Sequence, residues 1–326
     1  MKILLTGATG FIGSFLAESL LNRGYEVRCL VRSTSNLRWI ADLDVECFYG
    51  SLNDRKSLAD AIKDVDYVYH IAGVTKADNE EKFYRGNYEG TKNLIDAVIN
   101  SKHKIKRFLM VSSQAASGPS PTISPVNESV EPKPITFYGK SKLAAERYVM
   151  GLSKKAPVTV VRPPVVYGPR DTDVLEMFKT AKMRLIPQLG GREKYFSLIH
   201  AKDLVRGIIL AAENKKSLGK IYFLANSKPV SADEFARIIL DLLGKRGIRV
   251  SIPMPVMKLI ATISEAYAKF SGKNTILNRQ KILEMEPDFW VCSTKKAKED
   301  FGFEAEISLE EGIRETLSWY VRNNWL

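Results

Sequence analysis

Tyr138 and Lys142 stand four residues apart in Phe137-Tyr-Gly-Lys-Ser-Lys142. On a helix that spacing puts both side chains on one face, about 5–6 Å apart at Cβ. A phenol ordinarily titrates near pH ~10, and an ammonium beside it favours the phenolate and draws that value down. The pair is therefore predicted to exchange a proton near neutral pH, as general acid–base chemistry requires. The same spacing also occurs on solvated helix faces, so the rest of the chain has to decide.

A second piece of chemistry lies at the start. Lys2-Ile-Leu-Leu5 is a short apolar run, and Thr6-Gly-Ala-Thr-Gly-Phe-Ile-Gly13 follows it at once. Phe11, Phe15, Leu16, Leu20 and Leu21 then recur at helical spacing. Strand, glycine turn and helix in that order are the context of a dinucleotide-binding turn. Gly7 permits the tight turn, Gly10 lets the backbone approach a pyrophosphate, and Gly13 lets helix pack against strand. The first amides and the positive dipole end of the helix then face the anion.

The elements that position these motifs alternate through the first half. Strand candidates are 2–5, 26–31, 45–49, 67–71, 108–112 and 159–162, with helical stretches at 57–62, 91–100 and 141–151. That alternation predicts an α/β protein, a doubly wound parallel sheet with helices on both faces. Ligands of such sheets gather at the carboxyl ends of the strands, where these motifs fall. After Pro163-Pro164 the pattern becomes irregular, with a strand candidate at 221–225 and a helix at 232–243. The reading is a dinucleotide-binding domain over residues 1–165, with 200–226 adding late sheet elements. A smaller, interleaved substrate domain takes 166–199 and 227–326.

Bulk properties narrow the class. An apolar fraction of 45% and a charged fraction of 26% are ordinary for a globular chain with a sizeable core. Cys29, Cys47 and Cys292 are scattered, so neither a metal site nor a disulfide framework is indicated. No signal peptide and no spanning segment is evident, and a reducing cytoplasm fits best. The net charge of +12 is concentrated after residue 150, yet no nucleic-acid-binding module accompanies it.

Together these residues resemble the extended short-chain dehydrogenase/reductase superfamily, which includes the NAD-dependent epimerase/dehydratase family. The resemblance rests on the glycine turn, Gly50-Ser-Leu52, Tyr69-His-Ile-Ala-Gly73, Asn87-Tyr-Glu-Gly-Thr-Lys-Asn93 and Val111-Ser-Ser113. It continues through Tyr138-x-x-x-Lys142, Arg162-Pro-Pro-Val-Val-Tyr-Gly168 and Ile199-His-Ala-Lys-Asp203. It implies a Rossmann domain binding NAD(P), and a homodimer through helices containing 93–100 and 142–150. It also implies a catalytic set in which Tyr138 exchanges the proton, Lys142 lowers its pKa and holds the nicotinamide ribose, and Ser113 hydrogen-bonds the reacting oxygen. Ser112 is the alternative if the register slips by one. The cofactor would meet Gly7, Thr9, Gly10, Phe11, Ile12, Gly13, Arg32, Ser51, Leu52, Ala72, Gly73 and Pro163, besides Tyr138 and Lys142. Asn87 is expected to cap or brace rather than to catalyse, His70 to be structural, and His200 and Asp203 to anchor the C-terminal domain.

NADP is favoured over NAD. An acid after the second strand would bond the adenine ribose and repel a 2′-phosphate. Val31 and Arg32 stand there instead, with Ser33, Thr34 and Arg38 nearby, and a guanidinium matches phosphate geometry. Many relatives carry Asp where this chain has Ser51.

The substrate reads as a hydrophobic or mixed small molecule, a secondary alcohol or its ketone. Nucleotide-sugar enzymes of the superfamily carry arginines for the diphosphate where this chain has Phe196 and Met285 or Glu286. Arg192 and Arg279 could substitute from another register. The alternatives are a nucleotide-sugar epimerase or dehydratase with tightly bound NAD, and a non-catalytic cofactor-binding relative. The closing segment resembles the dihydroflavonol-reductase and 3β-hydroxysteroid-dehydrogenase branch. Over 255–270, Val256, Leu259, Ile260, Ile263, Ala266, Tyr267 and Phe270 share one side of a helix. A core-facing helix, a substrate lid and a peripheral membrane contact, with Lys258, Lys269 and Lys273 toward headgroups, all fit that pattern.

Overall fold

The computed structural model describes the backbone of residues 1–271 and 278–326, with side chains for all of these but 266–271. Lys273 and the side chains of Ala266, Tyr267, Lys269 and Phe270 therefore lie outside the described residues.

The first half alternates as the pattern predicts: β1 (Lys2–Thr6), α1 (Phe11–Leu21), β2 (Glu26–Val31), β3 (Glu46–Tyr49), α2 (Arg55–Ala61) and β4 (Tyr67–His70). Then come α3 (Glu80–Phe83), α4 (Gly90–Asn100), β5 (Arg107–Val111), α5 (Phe137–Gly151) and β6 (Val158–Arg162). A seventh strand, Lys220–Phe223, completes one sheet in the order Lys220–Phe223, β6, β5, β4, β1, β2, β3. Every pairing in it is parallel. The chain winds outward from β1 to β3 and returns beside β1 as β4, so the switch point lies between β1 and β4.

Side chains on β1 alternate between two cores, as the pleat requires. Ile3 and Leu5 join Phe15, Leu16 and Leu20 of α1 and Leu204 and Ile208 of the helix Ala201–Glu213. Leu4 points the other way, to Leu58 of α2, Leu94 and Val98 of α4 and Ala145 and Val149 of α5. Late residues Ala297, Phe301 and Phe303 return to the first of these cores. A third core holds Tyr167, Phe178, Phe235, Ile239, Leu317 and Tyr320. Its last helix, Leu309–Arg322, opens with a capping box in which Ser308 and Glu311 satisfy each other's backbone amides.

The helix predicted over 255–270 runs from Met254 to Ser271. Met257 and Ala261 pack against Ile282 of the helix Arg279–Met285. Val256, Leu259, Ile260 and Ile263 are exposed, so the stripe does not face a core. The buried side of this helix is the neighbouring, narrower one.

Candidate active site

The glycine turn is shaped by contacts only glycine allows. Gly7 has φ +79°, and a Cβ there would lie 2.6 Å from the Ala72 amide nitrogen. A Cβ on Gly13 would fall 2.0 Å from the Gly7 oxygen, so α1 closes directly onto the turn. Gly10 is different: it is exposed, and its Cβ would meet nothing nearer than the Gly7 oxygen at 3.4 Å. Internal packing does not demand glycine there, but close approach of a ligand does. Gly10 is also the N-cap of α1, with no side-chain cap and no acid in the first turn. The leading amides of α1 are thus left for an anion. Thr9, Phe11 and Ile12 surround this opening, all partly exposed. The residues present fit a pyrophosphate.

Ala72 and Gly73 follow β4 at the switch point. The Ala72 amide donates to Thr6 Oγ1 at 3.3 Å, and Thr6 Oγ1 lies 2.8 Å from His70 Nδ1. His70 Nε2 is 2.7 Å from Thr91 Oγ1, which itself donates to the Asn87 carbonyl. That chain sets Nε2 as donor and Nδ1 as acceptor. Burial lowers the imidazole pKa to about 3, so His70 is neutral and braces the turn.

Of the two roles expected for Asn87, it braces and does not cap. It lies in a π-helical turn, Tyr84–Glu89, inside a helical run from Glu80 to Asn100. Its side chain accepts from the Val74 amide at 2.7 Å and donates to the Val74 carbonyl at 3.0 Å and to Ser141 Oγ at 2.9 Å. Ser141 donates in turn to the Tyr138 carbonyl. The π turn rotates Asn87 inward, where it ties the segment after β4 to α5. Such single π turns recur at functional sites.

Tyr138 and Lys142 both belong to α5, one turn apart. Thr136 caps the helix by accepting from the Gly139 amide. Gln280 accepts from the Phe137 amide at 2.8 Å across 143 residues of chain, a contact no local pattern signals. A Cβ on Gly139 would lie 2.2 Å from the Ala115 oxygen. Its absence lets α5 approach the turn Gln114–Ala116 that follows Ser113. Ser113 Oγ accepts from the Ala115 amide and stands beside the Tyr138 phenol. Ser112 has its side chain buried with no hydrogen-bond partner, so Ser113 is the hydroxyl that meets Tyr138.

The electrostatics depart from the expectation of a lowered phenol. Burial pushes Tyr138 up to about 12, opposed by the Ser113 contact and reinforced by the charges of Glu284, Asp173 and Glu146. Lys142 donates to the Val111 carbonyl at 2.8 Å, and burial lowers its own pKa to about 8 while Glu146 opposes that shift. Desolvation of the phenolate outweighs the favourable Ser113 contact. Glu146 itself is clamped in a buried ion pair with Arg162 of β6, at 2.5 Å. A Cβ on Gly73 would lie 3.1 Å from Asn87 Oδ1 and 3.6 Å from Lys142 Nζ. Gly73, Asn87 and Lys142 therefore converge.

The remaining predicted residues line the same edge. Arg32 is exposed just beyond β2. Arg38 is instead stacked over Trp39 at 4.3 Å and near Trp325 at 5.7 Å. Ser51 Oγ accepts from the Asn53 amide, and the Leu52 carbonyl accepts from Asn93 of α4. The Pro163 carbonyl accepts from the backbone amide of Gln114, joining the end of β6 to the Ser113 turn. Arg170, absent from the sequence-derived set, bonds Ser14 and Glu18 of α1 while lying over Phe15 and Trp39. Asp203 accepts from the Glu306 and Ile307 amides, and His200 caps the helix it begins, so both hold the C-terminal half in place.

Parallel sheet, switch-point glycine turn and a tyrosine–lysine helix beside it define a doubly wound dinucleotide-binding protein. The chain belongs to the NAD-dependent epimerase/dehydratase family, whose model matches residues 3–225. It is 26% identical to a ceramide reductase of Caulobacter vibrioides over 99% of this chain and 96% of that one. A decarboxylating sterol-4-alpha-carboxylate 3-dehydrogenase of Dictyostelium discoideum is 25% identical, over 96% and 99% of the two chains. The fold also matches a UDP-glucuronic acid 4-epimerase of Bacillus cereus solved with NAD, with a TM-score of 0.79, 20% identity and full coverage of both chains.

Proposed function

We propose that the protein is an NADP-preferring dehydrogenase/reductase interconverting a secondary alcohol and a ketone on a hydrophobic small molecule. The observation that carries this is the meeting of Ser113 with Tyr138, one helical turn from Lys142, at the carboxyl ends of β4 and β5. A bound NADPH would supply a hydride to the carbonyl carbon. Tyr138 gives its proton to the ketone oxygen, and Ser113 donates a hydrogen bond that strengthens as that oxygen gains charge. A phenol pushed up to about 12 holds its proton at neutral pH, which suits the reductive direction. Lys142, anchored on Val111, faces the ribose side beside Gly73. Gly7, Gly10 and Gly13 take the pyrophosphate, and Arg32 takes the 2′-phosphate.

Arginines for a substrate diphosphate find no support. Phe196 packs on Phe235 in the third core. Arg192 is paired with Asp288, and Arg279 with Glu265. Glu286 pairs with Lys258. The ceramide and sterol relatives favour a greasy substrate. Pairing of two copies through α4 and α5, in a reducing cytoplasm where its three cysteines stay free, completes this reading.

The test is turnover of long-chain and sterol ketones with NADPH, followed by nicotinamide absorbance. Tyr138→Phe should lower kcat by about 10²–10⁴ with a far smaller effect on NADPH affinity. Interconversion of UDP-sugars without net absorbance change would establish the epimerase alternative instead.

A further inference from the structure

From residue 242 to 264 the chain carries Lys245, Arg246, Arg249 and Lys258 and no acidic residue. The same stretch supplies the outer face of the helix Met254–Ser271. Val256, Leu259, Ile260 and Ile263 there are 44, 61, 44 and 60% exposed. Single exposed apolar side chains are ordinary, but four at i, i+3, i+4 and i+7 make one continuous stripe. Arg249 and Lys258 have carboxylate partners in Asp233 and Glu286. Lys245 and Arg246 have no ion-pair partner among the described residues, and they line a shallow cleft with Arg237, Arg249 and one acid, Asp241. Among the described residues no helix is long and apolar enough to cross a bilayer.

The inner face of this helix leads to the chemistry. Met257 and Ala261 pack on Ile282, and Gln280 on the same short helix accepts from the amide of Phe137, the neighbour of Tyr138. One helix, Arg279–Met285, thus lies between the exposed stripe and the start of α5.

We infer that the helix Met254–Ser271 docks on an anionic lipid bilayer, its stripe of Val256, Leu259, Ile260 and Ile263 entering the headgroup boundary one helix away from the start of α5. An apolar-faced helix that cannot span, preceded in the chain by the basic residues Lys245 and Arg246, lies in the interface plane, held by apolar burial and by attraction of those residues to anionic headgroups. The inference rests on the proposed function for its purpose, collecting a bilayer-borne alcohol or ketone. The binding itself needs neither cofactor nor substrate.

The experiment is sedimentation of the full-length protein with vesicles of phosphatidylcholine alone and of phosphatidylcholine with phosphatidylglycerol. The wild type should sediment with the anionic vesicles, less so in high salt. Leu259→Glu with Ile263→Glu should weaken that binding by about tenfold or more. Lys245→Glu with Arg246→Glu should weaken binding to the anionic vesicles. All variants should keep the wild-type melting temperature and NADPH affinity. No binding of the wild type to anionic vesicles, or unchanged binding of both double variants, overturns the inference. So does a fall from dimer to monomer in Leu259→Glu with Ile263→Glu, which would make a second copy the occupant. A protein that binds vesicles yet reduces no ketone overturns the proposed function and leaves the docking surface standing.

Discussion

The ammonium of Lys142 donates to the carbonyl oxygen of Val111 at 2.8 Å, so the last residue of β5 holds the side chain that α5 carries inward. The bond fixes where the charge sits, but one carbonyl is a poor replacement for water. Burial lowers the lysine to about 8 from an ordinary value near 10.5. The folded state therefore disfavours the ammonium by roughly 3 kcal/mol at neutral pH. Between about pH 8 and 10 the unfolded chain binds the extra proton, so this term makes stability rise with pH. Lys142→Met should raise the melting temperature at pH 7 by a few degrees, and the advantage should shrink as pH passes 8. A variant less stable than wild type at pH 7 would show that the Val111 bond outweighs desolvation. Activity should be lost throughout.

Gly139→Ala tests how α5 reaches Ser113. The added Cβ would sit 2.2 Å from the Ala115 oxygen, a backbone atom that cannot swing aside. The helix has to back away, carrying Tyr138 off the serine. A displacement of about 1 Å at a reacting group costs about 10²-fold. Kinetics should show kcat down by that order with NADPH binding retained, and an unchanged kcat would refute the close-approach argument.

Gly13 and Gly10 should separate folding from cofactor binding. Gly13→Ala places a Cβ 2.0 Å from the Gly7 oxygen and should destabilise by about 3 kcal/mol or more. Gly10→Ala meets only an ordinary contact at 3.4 Å and should change stability by less than about 1 kcal/mol. Its Cβ nonetheless stands where a pyrophosphate would approach, so NADPH affinity should drop about tenfold or more. Melting curves with and without NADPH read both effects, and equal behaviour of the two variants would contradict this division.

Arg32→Ala should cut kcat/KM for NADPH by roughly tenfold or more and leave the NADH value nearly unchanged, because only the 2′-phosphate distinguishes them. A ratio of the two that does not move would remove Arg32 from cofactor selection and leave Ser33 and Thr34 to account for any preference.

Fold class, strand order in the chain, glycine turn and the Tyr138–Lys142 pair were legible in the amino-acid sequence. Their signals are local: a period of two or 3.6, a glycine at a forced turn, two side chains one helical turn apart. What the tertiary structure decided depends on chain segments that meet from afar. Phe137 is tied to Gln280, Asn87 to Ser141, and Arg170 to Ser14 and Glu18, and no window of sequence contains both ends. The choice of Ser113 over Ser112 came from which hydroxyl the turn aims at α5. The phenol's high pKa came from burial, which spacing does not encode. The apolar stripe of 256–263 was visible in sequence, but its exposure was not. Periodicity marks an apolar face without saying whether protein, lipid or water lies against it.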